Sequence, residues 1–414
     1  MKTLKALGLS CILISGFGNA QTATEQQTIP ADLTAETFAA CLPELSQKAK
    51  QAGIDDSTIA RGLSNAQFIP NVIKYDRNQP EFVRTFPNYI SKRVTDWRIN
   101  KGRDLLAKHK DLLQDLYEEY GIPQRYIVAF WGLETNFGGI KGKMPIIDSL
   151  ATLACDYRRS EFFTKELIHS LELMQREALP KEQMIGSWAG AMGHTQFMPS
   201  AYLQYAKDGD NDGKVDLWNS VPDALTSAAH FLKNLGWQAG YRWGREVILP
   251  EGFDYSLIGR DKSKTLAQWS ELGVSRTNGA SLGNSDLKSS LLLPAGHKGP
   301  AFVVYKNFDV IMRWNFSEFY AISVGYLADR LTGAGHFSVP LPDLPNYSIA
   351  QVKDLQMKLN QLGFDVGTAD GIMGPATRRG IQGFQSANEF IADGFPAPEL
   401  FDAVSEAANS SSVL

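Results

Sequence analysis

Cysteine is scarce in this chain. There are three in 414 residues, and Cys11 sits in the apolar start, so only Cys41 and Cys155 remain for the rest. With only six histidines beside them, the composition weighs against a Cys/His zinc site. Two cysteines in an oxidising compartment can pair, or can stay as buried thiols packing like small hydrophobes. A dominant charge is missing too: Lys+Arg 41 against Asp+Glu 45 gives a net charge of -4. That lacks the basic footprint of a general nucleic-acid binder, so no nucleic-acid partner is expected. After the first segment, no apolar run approaches the roughly 20 charge-free residues that a membrane span needs. No repeat with a period of about 20 to 50 residues is evident, which argues against a solenoid or propeller.

What is present is ample core material, at 43% hydrophobic residues, on a chain long enough for about two or three domains. Lys2 and Lys5 precede an apolar stretch from Ala6 to Phe17, then the small residues Gly18-Asn19-Ala20. These are the three parts of a secretory signal, with cleavage expected before Gln21 and export to the periplasm. An uncleaved anchor is disfavoured by length. A lipid-attachment reading at Cys11 fits poorly, because Gly8-Leu9-Ser10 is a weak match to the required box.

Residues 21–33 read as a polar leader. Helical spacing then dominates from Ala35 to Arg125, for example at Phe38, Cys41, Leu42 and Leu45. Gly121-Ile122-Pro123 breaks the pattern and a new helix is expected from Pro123. Residues 161–178, 222–236 and 316–331 also read as helices. Between them, 245–313 carries short β-branched or apolar runs (Val247-Ile248-Leu249, Leu291-Leu292-Leu293, Phe302-Val303-Val304-Tyr305) and reads as a strand-bearing insert. Prolines spaced through 338–346 suggest a stiff linker. Residues 347–405 read as a compact helical unit with a turn at Asp370-Gly371-Ile372-Met373-Gly374-Pro375, and Asn409 to Ser412 as a polar tail.

Two segments carry the chemistry. In Phe130-Trp131-Gly132-Leu133-Glu134-Thr135-Asn136-Phe137-Gly138, Trp131 and Glu134 stand one helical turn apart. A carboxyl beside aromatic neighbours loses solvation, which disfavours its anion and lets it act as a proton donor near neutral pH. On pattern alone, a solvent-facing or salt-bridged glutamate is the commoner outcome. The second segment runs Gly186-Ser187-Trp188-Ala189-Gly190-Ala191-Met192-Gly193-His194-Thr195-Gln196-Phe197-Met198-Pro199-Ser200. Its glycines permit close backbone approach, its Ser187 and Gln196 suit sugar hydroxyls, and its aromatic residues suit sugar faces. By itself it could equally be a glycine-rich structural turn.

Together these segments resemble the lytic murein transglycosylases of the membrane-bound type B family, over roughly residues 38–330. The resemblance includes Val310-Ile311-Met312-Arg313-Trp314-Asn315 and Tyr320. It implies a mainly α (α+β) fold: a lysozyme-like catalytic core (34–337) with a small strand-bearing insert, followed by a small helical C-terminal domain. It also implies cleavage of the β-1,4 bond between N-acetylmuramic acid and N-acetylglucosamine in peptidoglycan, leaving 1,6-anhydro ends. Glu134 would be the catalytic residue, with Ser187, Gln196, Met198, Asn315 and Tyr320 lining the site. Some relatives have Arg-Tyr-Asn where this chain has Arg313-Trp314-Asn315, which puts a direct role for position 314 in question. Alternatives are a lysozyme-type muramidase that uses water and a non-catalytic peptidoglycan-binding protein.

Asp208, Asp210 and Asp212, followed by Gly213, match the opening of an EF-hand loop, but position 12 is Asn219 rather than glutamate. The resemblance suggests that Asp223 closes the loop, with Lys214 giving only its carbonyl, around a structural calcium or sodium ion. A solvated acidic turn is the alternative. No cofactor is expected for catalysis. Residues 347–405 resemble the small peptidoglycan-binding domain of many wall enzymes. Expected partners are therefore peptidoglycan glycan strands, with other cell-wall enzymes as further candidates, and the chain is expected to be a monomer.

Overall fold

The computed structural model describes residues 32–77 and 84–411. The expected signal peptide, residues 1–20, lies outside them. No helix among the described residues is long and apolar enough to cross a membrane.

Helices dominate, as the spacing of apolar residues predicts, and they gather around two cores. The first is built on the helix Gln124–Thr135, which is apolar all round and sits at the centre of its neighbours. Around it pack Phe86–Arg93, Asp96–Lys108, Lys110–Tyr120, Val221–Asn234, Lys306–Trp314 and Glu318–Leu331. Buried aromatics such as Phe130, Phe86 and Phe308 each contribute roughly 1.5–3 kcal/mol by leaving water. The second core joins the N-terminal helix Ala35–Gln51 to Ile146–Cys155, Ser160–Arg176 and Pro199–Tyr205. A disulfide between Cys41 and Cys155 ties two of these helices together.

The insert is a five-stranded antiparallel sheet. Its main strands are Gly244–Ile248, Lys288–Leu292 and Ala301–Val304, with Lys264–Thr265 and Ser275–Arg276 at the edges. Leu291 pairs with Val303 and Leu292 with Phe302. Because strand side chains alternate, Phe302, Val304 and Leu292 face the helical core, while Val303, Leu291 and Val247 face a small core of their own. Both faces are covered, which explains the unbroken apolar runs. The insert is shorter than the sequence suggests: Lys306–Trp314 is a helix whose apolar face joins the main core.

The proline-rich stretch lies along the catalytic unit. Glu246 accepts the backbone amides of Ser338 and Val339, and Asn88 donates to the Leu344 carbonyl. Beyond it, Ile349–Gln361, Pro375–Ala387 and Pro398–Ser411 enclose a separate small core. The last helix carries through Asn409–Ser411, which read as tail.

This C-terminal unit does contain a repeat, contrary to the sequence reading. Ala369-Asp370-Gly371-Ile372-Met373-Gly374-Pro375 recurs as Ala392-Asp393-Gly394-Phe395-Pro396-Ala397-Pro398, and each proline opens a helix. Each turn is clamped by a buried glutamine. Gln356 accepts from the Gly371 amide and Gln385 from the Gly394 amide, both at 2.8 Å. Their side-chain nitrogens donate to Asp370 Oδ1 at 3.1 Å and Asp393 Oδ1 at 2.9 Å.

Candidate active site

From Tyr126 to Thr135, Glu134 alone keeps contact with solvent; its neighbours are buried. It sits one residue before the end of the helix, where the backbone turns sharply. Asn136, Phe137 and Gly138 all have positive φ (49°, 60° and 82°). Asparagine tolerates this left-handed conformation better than most side chains. Its Oδ1 is anchored by the buried Arg98, which donates from Nε at 3.1 Å. At Gly138 the fit is tighter still: an added Cβ would lie 2.2 Å from the His194 ring. Strained backbone of this kind persists only where surrounding contacts hold it, and it clusters at functional sites.

The same junction binds the glycine-rich loop. Thr135 Oγ1 donates to the His194 carbonyl at 2.7 Å and accepts the Gly138 amide at 2.8 Å. Trp131 does not face the glutamate. Its indole N–H donates to His194 Nδ1 at 3.0 Å, inside the core. Burial, with the charge of Lys141, pulls the His194 pKa down to about 4, so the ring is neutral and can accept that bond. Position 194 thus has a structural role that the sequence did not reveal.

The aromatic partners of the carboxyl come from elsewhere. Trp314 Nε1 donates to Glu134 Oε1 at 2.9 Å, and Tyr320 OH donates to the same oxygen at 2.5 Å. Tyr320 is buried, and burial followed by the neighbouring Glu134 charge pushes its pKa well above the usual tyrosine value. It therefore remains a donor. Trp314 is held by Phe130, Phe231 and Phe197, with ring centroids 4.6, 5.1 and 5.6 Å away. Position 314, left open by the sequence, makes a direct contact with the Glu134 carboxyl.

Of the other expected residues, Gln196 sits in a left-handed turn at φ 52° and donates to the carbonyls of Lys141 and Gly193. It binds the glycine-rich loop to the segment that follows the Glu134 helix. Ser187 Oγ accepts the amides of Ala189 and Ala191, closing its own turn. Asn315 Oδ1 accepts the Ser317 amide between the Trp314 and Tyr320 segments. Met198 is half-buried just before the helix Pro199–Tyr205.

Every fully buried carboxylate among the described residues of the catalytic unit is committed to other groups. Asp76 is paired with Arg158 and Arg159, Asp148 with Lys181, and Asp156 with Arg77. Glu166 accepts from Ser200, and Asp223 from the amides of Gly209 and Asp216. Glu134 differs from these in being only half-buried and in accepting from two aromatic side chains, Trp314 and Tyr320, on one oxygen.

In the acidic loop, Asp208, Asp210 and Asp212 each bring a carboxylate oxygen within 4.8 Å of the others. Three hard oxygen donors at this spacing fit a calcium-like cation. Asp223 is not part of that group. It points inward from the first turn of Val221–Asn234 and fastens the loop through its backbone amides.

A mainly helical core that sets the half-buried Glu134, oriented by two side-chain donors, beside a glycine-rich loop suits an enzyme that moves a proton. Residues 37–329 match the transglycosylase SLT domain family, and residues 348–404 match a peptidoglycan binding domain family. The chain is 33% identical over 295 residues to membrane-bound lytic murein transglycosylase B of Escherichia coli (strain K12), covering 67% of this chain and 79% of that one. It is similar to the crystal structure of SltB3 from Pseudomonas aeruginosa in complex with NAG-anhNAM-pentapeptide. That match has a TM-score of 0.84 and 43% identity, and it covers 89% of this chain and 99% of the other. A third likeness is to the E. coli lytic transglycosylase Slt35 solved in complex with calcium, at a TM-score of 0.62 and 31% identity, covering 70% and 92% of the two chains. The chain belongs to the type B lytic transglycosylases and carries a C-terminal peptidoglycan-binding domain.

Proposed function

We propose that this enzyme cleaves the β-1,4 bond between N-acetylmuramic acid and N-acetylglucosamine with Glu134 as both acid and base. With Oε1 accepting from Trp314 and Tyr320, the acid proton of Glu134 belongs on Oε2. Glu134 gives that proton to the leaving glycosidic oxygen as the C1–O bond breaks. The muramoyl C6 hydroxyl then attacks C1, and its proton passes to the Glu134 carboxylate. A C1–O6 bond forms, no water is consumed, and the enzyme regains its starting state. Standard glycosidases need a second carboxylate for nucleophile or base; here the substrate supplies the nucleophile. The observation that carries this reading is the convergence of two neutral donors on one oxygen of Glu134, while the fully buried carboxylates are bound elsewhere.

Ser187, Gln196, Met198, Asn315 and Tyr320 line the glycan path in this reading, with Trp314 added to them. Asp208, Asp210, Asp212 and the Lys214 carbonyl hold a structural calcium or sodium ion, with Asp223 bracing the loop from behind. When bound, the ion neutralises the clustered carboxylates; it takes no part in cleavage. The apolar start and the small residues before Gln21 support export to the periplasm with loss of residues 1–20. N-terminal sequencing of the mature protein would then begin at Gln21.

The mechanism is tested with purified Glu134→Gln, which keeps the shape but cannot cycle a proton. It should fold normally and leave peptidoglycan intact. Clearance as fast as wild type would remove Glu134 from the mechanism.

A further inference from the structure

The two copies of the Ala-Asp-Gly turn in the C-terminal unit are alike in backbone and clamp, yet one is occupied and the other is not. In the second copy, Asp393 Oδ1 is used internally by Gln385 and by the Phe395 amide. Its Oδ2 faces the catalytic unit and accepts two nitrogens of one residue: the His297 backbone amide at 2.9 Å and the His297 ring Nδ1 at 2.6 Å. The preceding Gly296 lies flat against Phe395, so close that an added methyl group would be 2.8 Å from the ring. The second turn therefore grips a short peptide. An acidic oxygen takes an amide N–H and a side-chain nitrogen, and an apolar side chain covers the small residue before them.

The first copy has the same parts. Asp370 Oδ1 is used internally by Gln356 and the Ile372 amide. Asp370 is exposed, and its Oδ2 has no hydrogen-bond partner among the described residues. Ile372, half-buried, stands where the larger Phe395 stands in the second copy. The exposed Lys353 runs alongside Gly371.

We propose that Asp370 and Ile372 form a binding site for the alanine-bearing peptide stem of peptidoglycan. The stem offers small methyl-bearing residues, each followed by an amide N–H, together with a diamino acid whose ammonium suits Asp370 and carboxylates that suit Lys353. This rests on the wall-binding reading of residues 348–404 and sharpens it: the unit reads the peptide, not only the sugar strand. The second turn has the same grip, spent on holding the unit against the catalytic domain.

The test uses the full chain carrying Glu134→Gln, so that the wall is not digested. Its sedimentation with purified sacculi is compared before and after the stems are removed by an amidase. Stem removal should weaken binding on the order of tenfold, the size expected for losing a charge-assisted hydrogen bond. Adding Asp370→Asn should give the same loss on intact sacculi and no further loss on stripped ones. That substitution keeps the inward Oδ1 and changes only the outward atom from acceptor to donor. Asp393→Asn should leave sacculus binding unchanged. A measurement without a turn variant is titration of the Glu134→Gln chain with a synthetic stem tetrapeptide, which should shift the NMR amide signals of Gly371 and Ile372.

Equal binding to intact and stripped sacculi would overturn the proposal while leaving the wall-binding reading standing. Undiminished binding by the Asp370 variant, or unmoved Gly371 and Ile372 signals, would do the same. Absence of any sacculus binding by the Glu134→Gln chain would remove both.

Discussion

Glu134 and Asp223 are both carboxyls, each accepting hydrogen bonds, on helices of one catalytic unit. Their donors differ. Asp223 accepts backbone amides from its own neighbourhood, Gly209 at 2.8 Å and Asp216 at 2.7 Å. Glu134 accepts neutral side-chain donors that arrive from 180 and 186 residues away. Backbone donors cannot leave without unfolding the loop, so Asp223 is a fastener. Side-chain donors on one oxygen keep the carboxyl oriented through a proton cycle, so Glu134 can be a reagent. The protein contains several buried carboxylates; the identity of their partners separates chemistry from architecture.

Breaking each side of this comparison should give different readouts. The largest effect is expected from Glu134→Gln: turnover on peptidoglycan should fall by about a thousandfold, within the range for removal of a general acid–base group, with no change in melting temperature. The next effect is on stability alone. His194 has its pKa lowered from 6.5 to about 4. Between these values the unfolded chain binds a proton that the folded chain does not, so stability rises with pH across that window. The contribution is fully present above pH 6.5 and is lost as pH falls towards 4, by about 3 kcal/mol at most. Urea unfolding across this range should show the slope, and His194→Gln should flatten it.

Asp223→Ala leaves two backbone amides without partners and should lower stability by about 2 kcal/mol. Turnover per folded molecule should stay within about twofold of wild type, because the fastener is not part of the chemistry. Tyr320→Phe makes the converse test: turnover falling about tenfold with loss of one donor to the acid, and little change in melting temperature. A large stability loss with unchanged turnover would turn Tyr320 into another fastener. Chelation of the acidic-loop ion should act on stability alone and cost about 1.4 kcal/mol when the ion is at tenfold its dissociation constant, read as a calcium-dependent melting temperature.

The same distinction explains what could be read from the chain. Glu134, the glycine-rich loop and the acidic turn are contiguous in sequence, and local pattern carried each of them. The helical spacing and the apolar runs of Leu291–Leu293 and Phe302–Val304 located the insert, because both faces of that sheet are buried. The partners of the Glu134 carboxyl were harder. Trp131 is the nearest tryptophan in sequence, but it turns to His194, while Trp314 reaches the carboxyl. Helix spacing gives which residues share a face and not which distant segment packs there. The repeat in the C-terminal unit was missed for a related reason. It has only two copies, its glutamines stand at unequal distances from their turns, and the kinship shows in the clamping bonds of Gln356 and Gln385. The docking of Asp393 on His297 has no local signal at all.

In the proposed reaction one glutamate and the substrate's own hydroxyl suffice. Digesting peptidoglycan with the wild-type enzyme in ¹⁸O-labelled water and weighing the released muropeptides tests it most directly. The expected products carry 1,6-anhydromuramoyl ends, each lighter by one water than a reducing end, with no ¹⁸O incorporated by cleavage. Reducing ends carrying ¹⁸O from the first turnovers would mean that water is the nucleophile, and would contradict it.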